Sequence, residues 1–289
     1  MSNSWKGTAL ITGASRGIGA VYADRLSKRG YDLILVARDQ ARLKALSARL
    51  TSETGRSVTP LPTDLNDKAE LARVEATLRD DPSITMLVNN AGTASVAPLL
   101  NADVEKMDAM IALNITALTR LTYAAAPAFV ARGTGTIINI ASVVAISPET
   151  VNGVYGATTA YLIALSHSLQ HELADKGIRI QAVLPGATAT DLWEIAGLPW
   201  QNLPASIVMS PEDMVDAALV GLDQGELVTI PGLHDGDEWT RFEAARRALS
   251  QRFGNSVPAP RYGIGGPAAA RSNAPSLSRV RNSTGEIHG

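Results

Sequence analysis

The stretch Thr12-Gly13-Ala14-Ser15-Arg16-Gly17-Ile18-Gly19 is the first in the chain whose residue types and spacing could do chemistry. It follows a short apolar run, residues 8–11, and leads into a helical pattern at about 17–29. Glycines there permit a tight turn and a close approach of backbone to a ligand. The helix start behind them offers free N–H groups and the positive end of a dipole, which suits a pyrophosphate. The spacing is G-x-x-x-G-x-G rather than G-x-G-x-x-G, and a glycine-rich turn alone would serve any tight bend. The strand-loop-helix setting is what makes this one a dinucleotide candidate. The end of the second apolar run, Val36-Ala37-Arg38-Asp39, bears on which dinucleotide. An acid at that point holds the ribose 2′-hydroxyl of NAD(H). Arg38 and Arg16 could instead pair with the 2′-phosphate of NADP(H), because a guanidinium matches phosphate geometry. Asp39 competes with that reading, and both arginines could be solvated surface residues. The charge pattern predicts NADP(H) in preference to NAD(H).

The elements that must position these residues alternate along the chain. Apolar, β-branched runs stand at 8–11, 33–37, 58–61, 84–89, 136–140, 178–184 and 227–230. Helical patterns fall at about 17–29, 40–54, 67–80, 104–132, 154–176, 211–222 and 237–252. That rhythm predicts βαβ units, and near-continuous apolar runs suit strands covered on both faces. The expected fold is α/β: a single Rossmann-type, doubly wound parallel sheet of about seven strands with helices on both faces. Gly30 and Gly177 stand where helices would end, and Ser210-Pro211-Glu212-Asp213 reads as a helix start. One domain is expected over 1–262. A long Gly-, Pro- and Trp-containing loop at about 187–209 reads as a substrate lid. Residues 263–289, without aromatics, read as a disordered tail or an appended segment.

Composition narrows the classes. The chain has 289 residues, 45% of them hydrophobic, and a net charge of −2, which supports a sizeable core and argues against nucleic acid as a partner. Cysteine is absent, which excludes disulfides, thiol catalysis and Cys-ligated metals. The first seven residues lack a signal-peptide layout and no long uninterrupted apolar run occurs, so a cytoplasmic location without membrane contact is expected. His167 and His171 have two-His metal spacing but no accompanying acid, so no metal is expected. The acids between 235 and 238 suit a helix start better than a metal.

With Asn89-Asn90-Ala91-Gly92 after the fourth run, the glycine loop resembles that of the short-chain dehydrogenase/reductase family, and the likeness extends over nearly all of residues 5–232. Asp64 and Leu65, after the third run, match the adenine contact. Asn114 stands in Leu113-Asn114-Ile115, and Ser142 closes Asn139-Ile140-Ala141-Ser142. Tyr155 follows Ser142 at the family's interval, and Pro185-Gly186 with Thr188 and Thr190 matches the segment that holds the nicotinamide carboxamide. The late Val228-Thr229-Ile230-Pro231-Gly232 resembles a subgroup with varied substrates. The resemblance implies that Tyr155 is the acid/base, Ser142 orients the carbonyl oxygen, and the Asn114 backbone anchors a proton relay. It also implies a homodimer or homotetramer built through the long helices after the fourth and fifth strands.

One position departs from the family. The lysine expected four residues after Tyr155, on the same helix face, is Thr159. In the family that lysine binds the nicotinamide ribose and lowers the tyrosine pKa. Threonine is shorter and uncharged, so it would reach the ribose only through water. A tyrosine without that help titrates near about 10, and its phenolate, needed for alcohol oxidation, is about one part in a thousand at neutral pH. Three readings stay open: an introduced change, a natural variant with slow turnover, or a chain that has lost catalysis and binds or senses NADP(H). A lyase or isomerase on the same scaffold is a further alternative. Trp193, Trp200, Leu192, Ile195 and Leu198, with Val143, Val144, Ile146 and residues 94–97, would give an apolar wall for a hydrophobic carbonyl compound. Glu149 and Asn152 are the nearest polar candidates for substrate selection.

Overall fold

The computed structural model describes residues 5–264, so the tail expected from 263 onward lies almost wholly outside the described residues. The seven apolar runs all become strands: β1 (Thr8–Thr12), β2 (Asp32–Ala37), β3 (Val58–Pro62), β4 (Ile84–Asn89), β5 (Gly135–Ile140), β6 (Ile178–Val183) and β7 (Val228–Thr229). They form one parallel sheet in the order β3-β2-β1-β4-β5-β6-β7. The order reverses between β1 and β4, which leaves a crevice beyond their carboxyl ends.

The helices are α1 (Gly17–Lys28), α2 (Gln40–Thr54), α3 (Lys68–Asp80), α4 (Val104–Ile111), α5 (Leu118–Arg132), α6 (Gly153–Leu173), α7 (Leu192–Ala196), α8 (Pro211–Gln224) and α9 (Gly236–Ser250). Because strand side chains alternate, each strand feeds two cores. Ala9, Ile11, Leu33, Leu35, Met86 and Val88 pack on one face against α1, α2 and α8 through Tyr22, Leu26, Leu43, Leu50, Met214 and Leu219. Leu10, Ile34, Val36, Leu87, Ile137 and Ile180 pack on the other against α3 and α5 through Leu71, Val74, Leu78, Leu121 and Phe129.

Three elements differ from the sequence pattern. The single helix expected over 104–132 contains a π-helical turn, Ala112–Ala117, between α4 and α5. By length and composition Val104–Arg132 could cross a membrane, but Leu121, Ala125 and Phe129 pack in the core beside the sheet, and Leu118 is buried. The long loop at 187–209 holds α7 and two short 3₁₀ turns, Trp200–Asn202 and Ala205–Ile207. β7 has two residues rather than four, ending just before Ile230 and Pro231, whose ring nitrogen cannot donate to a ladder.

The described residues divide into two compact units, one ending at His234 and one beginning at Asp235, where the sequence pattern had suggested one domain to 262. In the second unit Asp235 caps α9 by accepting from the Asp237 N–H, Trp239 stacks on Phe242, and Glu243 accepts two hydrogen bonds from Arg246.

Gly135 is a tight joint between sheet and helix. A Cβ there would lie 2.4 Å from the ring of Phe129, which is fully buried and cannot swing away. Gly135→Ala is expected to lower the unfolding free energy by about 1–3 kcal/mol, seen as a lower urea midpoint with an unchanged slope.

Candidate active site

Two side chains knot β1 to β4 at the crevice floor. The Thr12 hydroxyl donates to the Val88 carbonyl (3.3 Å) and accepts the N–H groups of Asn90 and Ala91, both at 3.0 Å. The Asn90 amide donates back to the carbonyls of Thr12 (2.9 Å) and Gly13 (3.2 Å). Gly13 (φ +66°) and Gly17 (φ +53°) adopt left-handed backbone, which glycine enters without strain. A Cβ on Gly19 would lie 2.4 Å from the Gly13 carbonyl oxygen.

The loop opens on a crevice of about 480 Å³. Of the residues predicted for a dinucleotide, Gly13, Ser15, Arg16, Gly17, Ile18, Arg38, Asp64, Leu65, Asn90, Ala91, Gly92 and Thr190 line it. A pyrophosphate fits the α1 end. No side chain caps that helix, whereas Asp39, Asp67, Asp103, Asn152 and Ser210 cap α2, α3, α4, α6 and α8. The first N–H groups of α1 are therefore free of side-chain acceptors, and Gly13, Gly17 and Gly19 beside them carry no Cβ. At the adenosine end, Asp39 accepts from the Arg42 N–H (3.0 Å) and pairs with the Arg42 guanidinium (3.3 Å). The carboxylate that would have favoured a 2′-hydroxyl is thus engaged in capping a helix.

Two charged lining residues escaped the sequence reading. Arg42 stands in the first turn of α2, three residues after its cap, a spacing that could have been noticed. Asp191 follows Thr190 directly, but its partner Arg16 is 175 positions away, and no local pattern shows that.

Tyr155, Ser142, Thr159, Pro185, Gly186 and Thr188 lie outside the crevice lining. Tyr155 lies in the first turn of α6, with its phenol near enough to Ser142 for the serine hydroxyl to act on it. Burial pushes the phenol above its usual pKa, and the Ser142 hydrogen bond offsets part of that rise. Ser142 follows β5, donates to the Pro185 carbonyl at 3.4 Å and accepts from the Val144 N–H at 3.3 Å. The Val143 N–H donates to the same Pro185 carbonyl, so the segment after β6 is seated against the serine. Thr188 is buried and bridges to Met209, which closes the base of the 187–209 segment.

Asn114 sits within the π turn, a distortion that recurs at functional sites and weakens the regular ladder around it. Its side chain grips Thr93, accepting from the N–H and donating to the carbonyl, each at 2.9 Å, and also donates to Thr158 (3.1 Å). Thr159 is buried, and its hydroxyl donates to the Gly156 carbonyl (2.9 Å), turned back on its own helix. Asn152 is not placed to select substrate: its amide donates to the Ala97 carbonyl (2.6 Å) and its oxygen caps α6 through the Val154 N–H (2.9 Å). It therefore ties residues 93–97 to the helix that carries Tyr155. Glu149 is exposed in a 3₁₀ turn.

A model of the short chain dehydrogenase family matches residues 7–197. A solved structure of a short-chain dehydrogenase from Sphingobium yanoikuyae in complex with NADPH is 50% identical, with a TM-score of 0.86 over 89% of this chain and 99% of that one. The bulky-bulky ketone specific alcohol dehydrogenase from Comamonas testosteroni is 43% identical, with a TM-score of 0.83 over 90% and 99% of the two chains. Very-long-chain 3-oxoacyl-CoA reductase of Bos taurus is 30% identical over 220 residues, which are 74% of this chain and 68% of that protein. The chain belongs to the short-chain dehydrogenase family and is an oxidoreductase.

Gly19→Ala should unseat both Gly13 and Asn90. NADPH binding followed by cofactor fluorescence is expected to weaken at least roughly tenfold, with a lowered thermal transition, because the clash falls on the main chain of the buried loop.

Proposed function

We propose that this chain interconverts a ketone or aldehyde with the corresponding alcohol, using NADP(H) held in the crevice. The observation that carries the reading is a crevice fringed by Arg16, Arg38 and Arg42, together with a Tyr155 phenol close enough to the Ser142 hydroxyl for the serine to favour its ionised form. The N–H groups of α1 hold the pyrophosphate, and the arginines hold the ribose 2′-phosphate. Asn90, Gly92, Thr188 and Thr190 border the nicotinamide half. The cofactor, when bound, supplies or accepts the hydride at the carbonyl carbon. Tyr155 donates its proton to the carbonyl oxygen as the alcohol forms and recovers it in the reverse direction. Ser142 orients that oxygen; its long bond to Pro185 is easily exchanged for one to substrate. Asn114 fixes residue 93 and the start of the loop that walls the substrate.

The segment 187–209 acts as the substrate lid. Its half-buried Trp193 and Trp200, with Leu192 and Ile195, favour a bulky hydrophobic carbonyl compound, in keeping with the name of the Comamonas relative. Exposed Leu99, Leu100, Val104 and Tyr123, in and just before the α4–α5 helix, support assembly into a homodimer or homotetramer.

The helix face below Tyr155 carries no charge at position 159, so the phenol stays protonated through the neutral range. Reduction uses that protonated form directly, while oxidation awaits the phenolate and rises as pH increases. A second reading, an NADP(H)-binding protein without turnover, is favoured by the Thr159 hydroxyl facing the Gly156 carbonyl rather than the crevice.

The test is NADPH consumption over a panel of aldehydes and ketones, with NADPH binding measured alongside. Thr159→Lys is expected to be at least roughly tenfold faster and to bring the oxidation optimum to lower pH, because an adjacent ammonium favours the phenolate. Tyr155→Phe is expected to bind NADPH and not react. Equal rates for the original chain and Thr159→Lys would overturn impairment at this position. Binding without reaction in both would support the second reading.

A further inference from the structure

Arg16 closes the phosphate loop and Arg42 begins α2, yet both reach one oxygen of the same side chain. Asp191 Oδ2 lies 3.0 Å from Arg16 Nη1 and 3.6 Å from Arg42 Nη1. The pairing costs Asp191 little mobility, since the three side chains are 42–52% exposed. Asp191 is also the residue on which α7 starts, and Leu192 and Ile195 of α7 line the same crevice. The far end of α7 is fastened separately, by the Ala196 carbonyl accepting from the Val96 N–H at 3.1 Å. A carboxylate therefore holds the guanidiniums that a ribose phosphate requires, and the same residue anchors one end of the lid helix.

Resting on the NADP(H) reading above, we propose that Asp191 is an internal competitor for the 2′-phosphate subsite and couples its occupation to the lid. A phosphate brings close to two negative charges and three acceptor oxygens, against one charge and two oxygens on the carboxylate. It displaces Asp191 from Arg16 and Arg42, and α7 loses its anchor at that end. A ligand without the 2′-phosphate leaves the clasp in place. The coupling is reciprocal: the factor by which bound phosphate weakens the hold of Asp191 on the arginines is the factor by which that hold weakens phosphate binding. Half-exposed ion pairs suit such a clasp, because each contributes little and is screened by salt. Arg42 becomes a specificity-determining residue, shared between Asp39, Asp191 and the ligand.

The probes are adenosine 2′,5′-bisphosphate and 5′-AMP, which differ only in the 2′-phosphate, titrated calorimetrically into the full chain and into Asp191→Asn. Asp191→Asn is expected to bind the bisphosphate about three- to fivefold more tightly, and 5′-AMP less than about twofold differently, with the gain shrinking as salt rises. Hydrogen exchange over residues 192–209 is the second readout. In the original chain the bisphosphate should speed it and 5′-AMP should not; in Asp191→Asn it should already be fast. Unchanged or weaker bisphosphate binding by Asp191→Asn overturns the clasp, as does a bisphosphate that leaves exchange unaltered. If Asp191→Asn, like the original chain, binds the two probes equally, the NADP(H) reading falls and the clasp with it.

Discussion

The hydrogen-bond knot between Thr12 and Asn90 is the constraint on which the site depends. One hydroxyl serves three main-chain groups of β4 and its exit, and one amide returns two bonds to the exit of β1. The two strands are central neighbours in the sheet, and their helices leave to opposite faces, so chain diverges here and a crevice must open. Because the knot fixes where each strand stops, it also fixes where the N–H groups of α1 point. Gly13 and Gly19 complete the arrangement by letting backbone lie where side chains would collide.

The catalytic side is assembled differently, through a loop held from several sides. Asn114 holds Thr93, Asn152 holds Ala97, and the Ala196 carbonyl holds Val96. All these contacts use backbone groups of residues 93–97, and one internal bond, from the Ala97 N–H to the Ser95 hydroxyl, adds to them. Asn152 contributes twice, because the oxygen that caps α6 and the nitrogen that holds Ala97 belong to one amide. Displacing it would move the substrate wall and the helix of Tyr155 together.

Electrostatics divides the crevice into two regimes. Around the adenosine end, guanidiniums and carboxylates are half exposed and exchange partners at little cost. Around Tyr155 the nearby groups are hydroxyls and carbonyls, and burial dominates. A lysine at 159 would place a charge on the side where desolvation otherwise governs the phenol. Threonine there satisfies its own hydroxyl on the helix, which leaves that phenol to desolvation and Ser142.

Much of this was legible in the sequence because it is written locally. Period and composition marked seven strands and the long helices, since a strand buried on both faces must be apolar throughout and a helix start must be capped or bind something. The glycine loop, Arg38 and the Ser142–Tyr155 interval are short-range patterns of the same kind. The tertiary structure decided what depends on distant partners. Asn152 turned out to be engaged by Ala97, 55 positions away, and Asp191 by Arg16, 175 positions away. The π turn at Asn114 and the shortened β7 likewise answer to packing and to edge pairing. A sequence specifies which groups a residue carries. Which of them is already satisfied, and which is left for a ligand, depends on neighbours that only folding brings within hydrogen-bond reach.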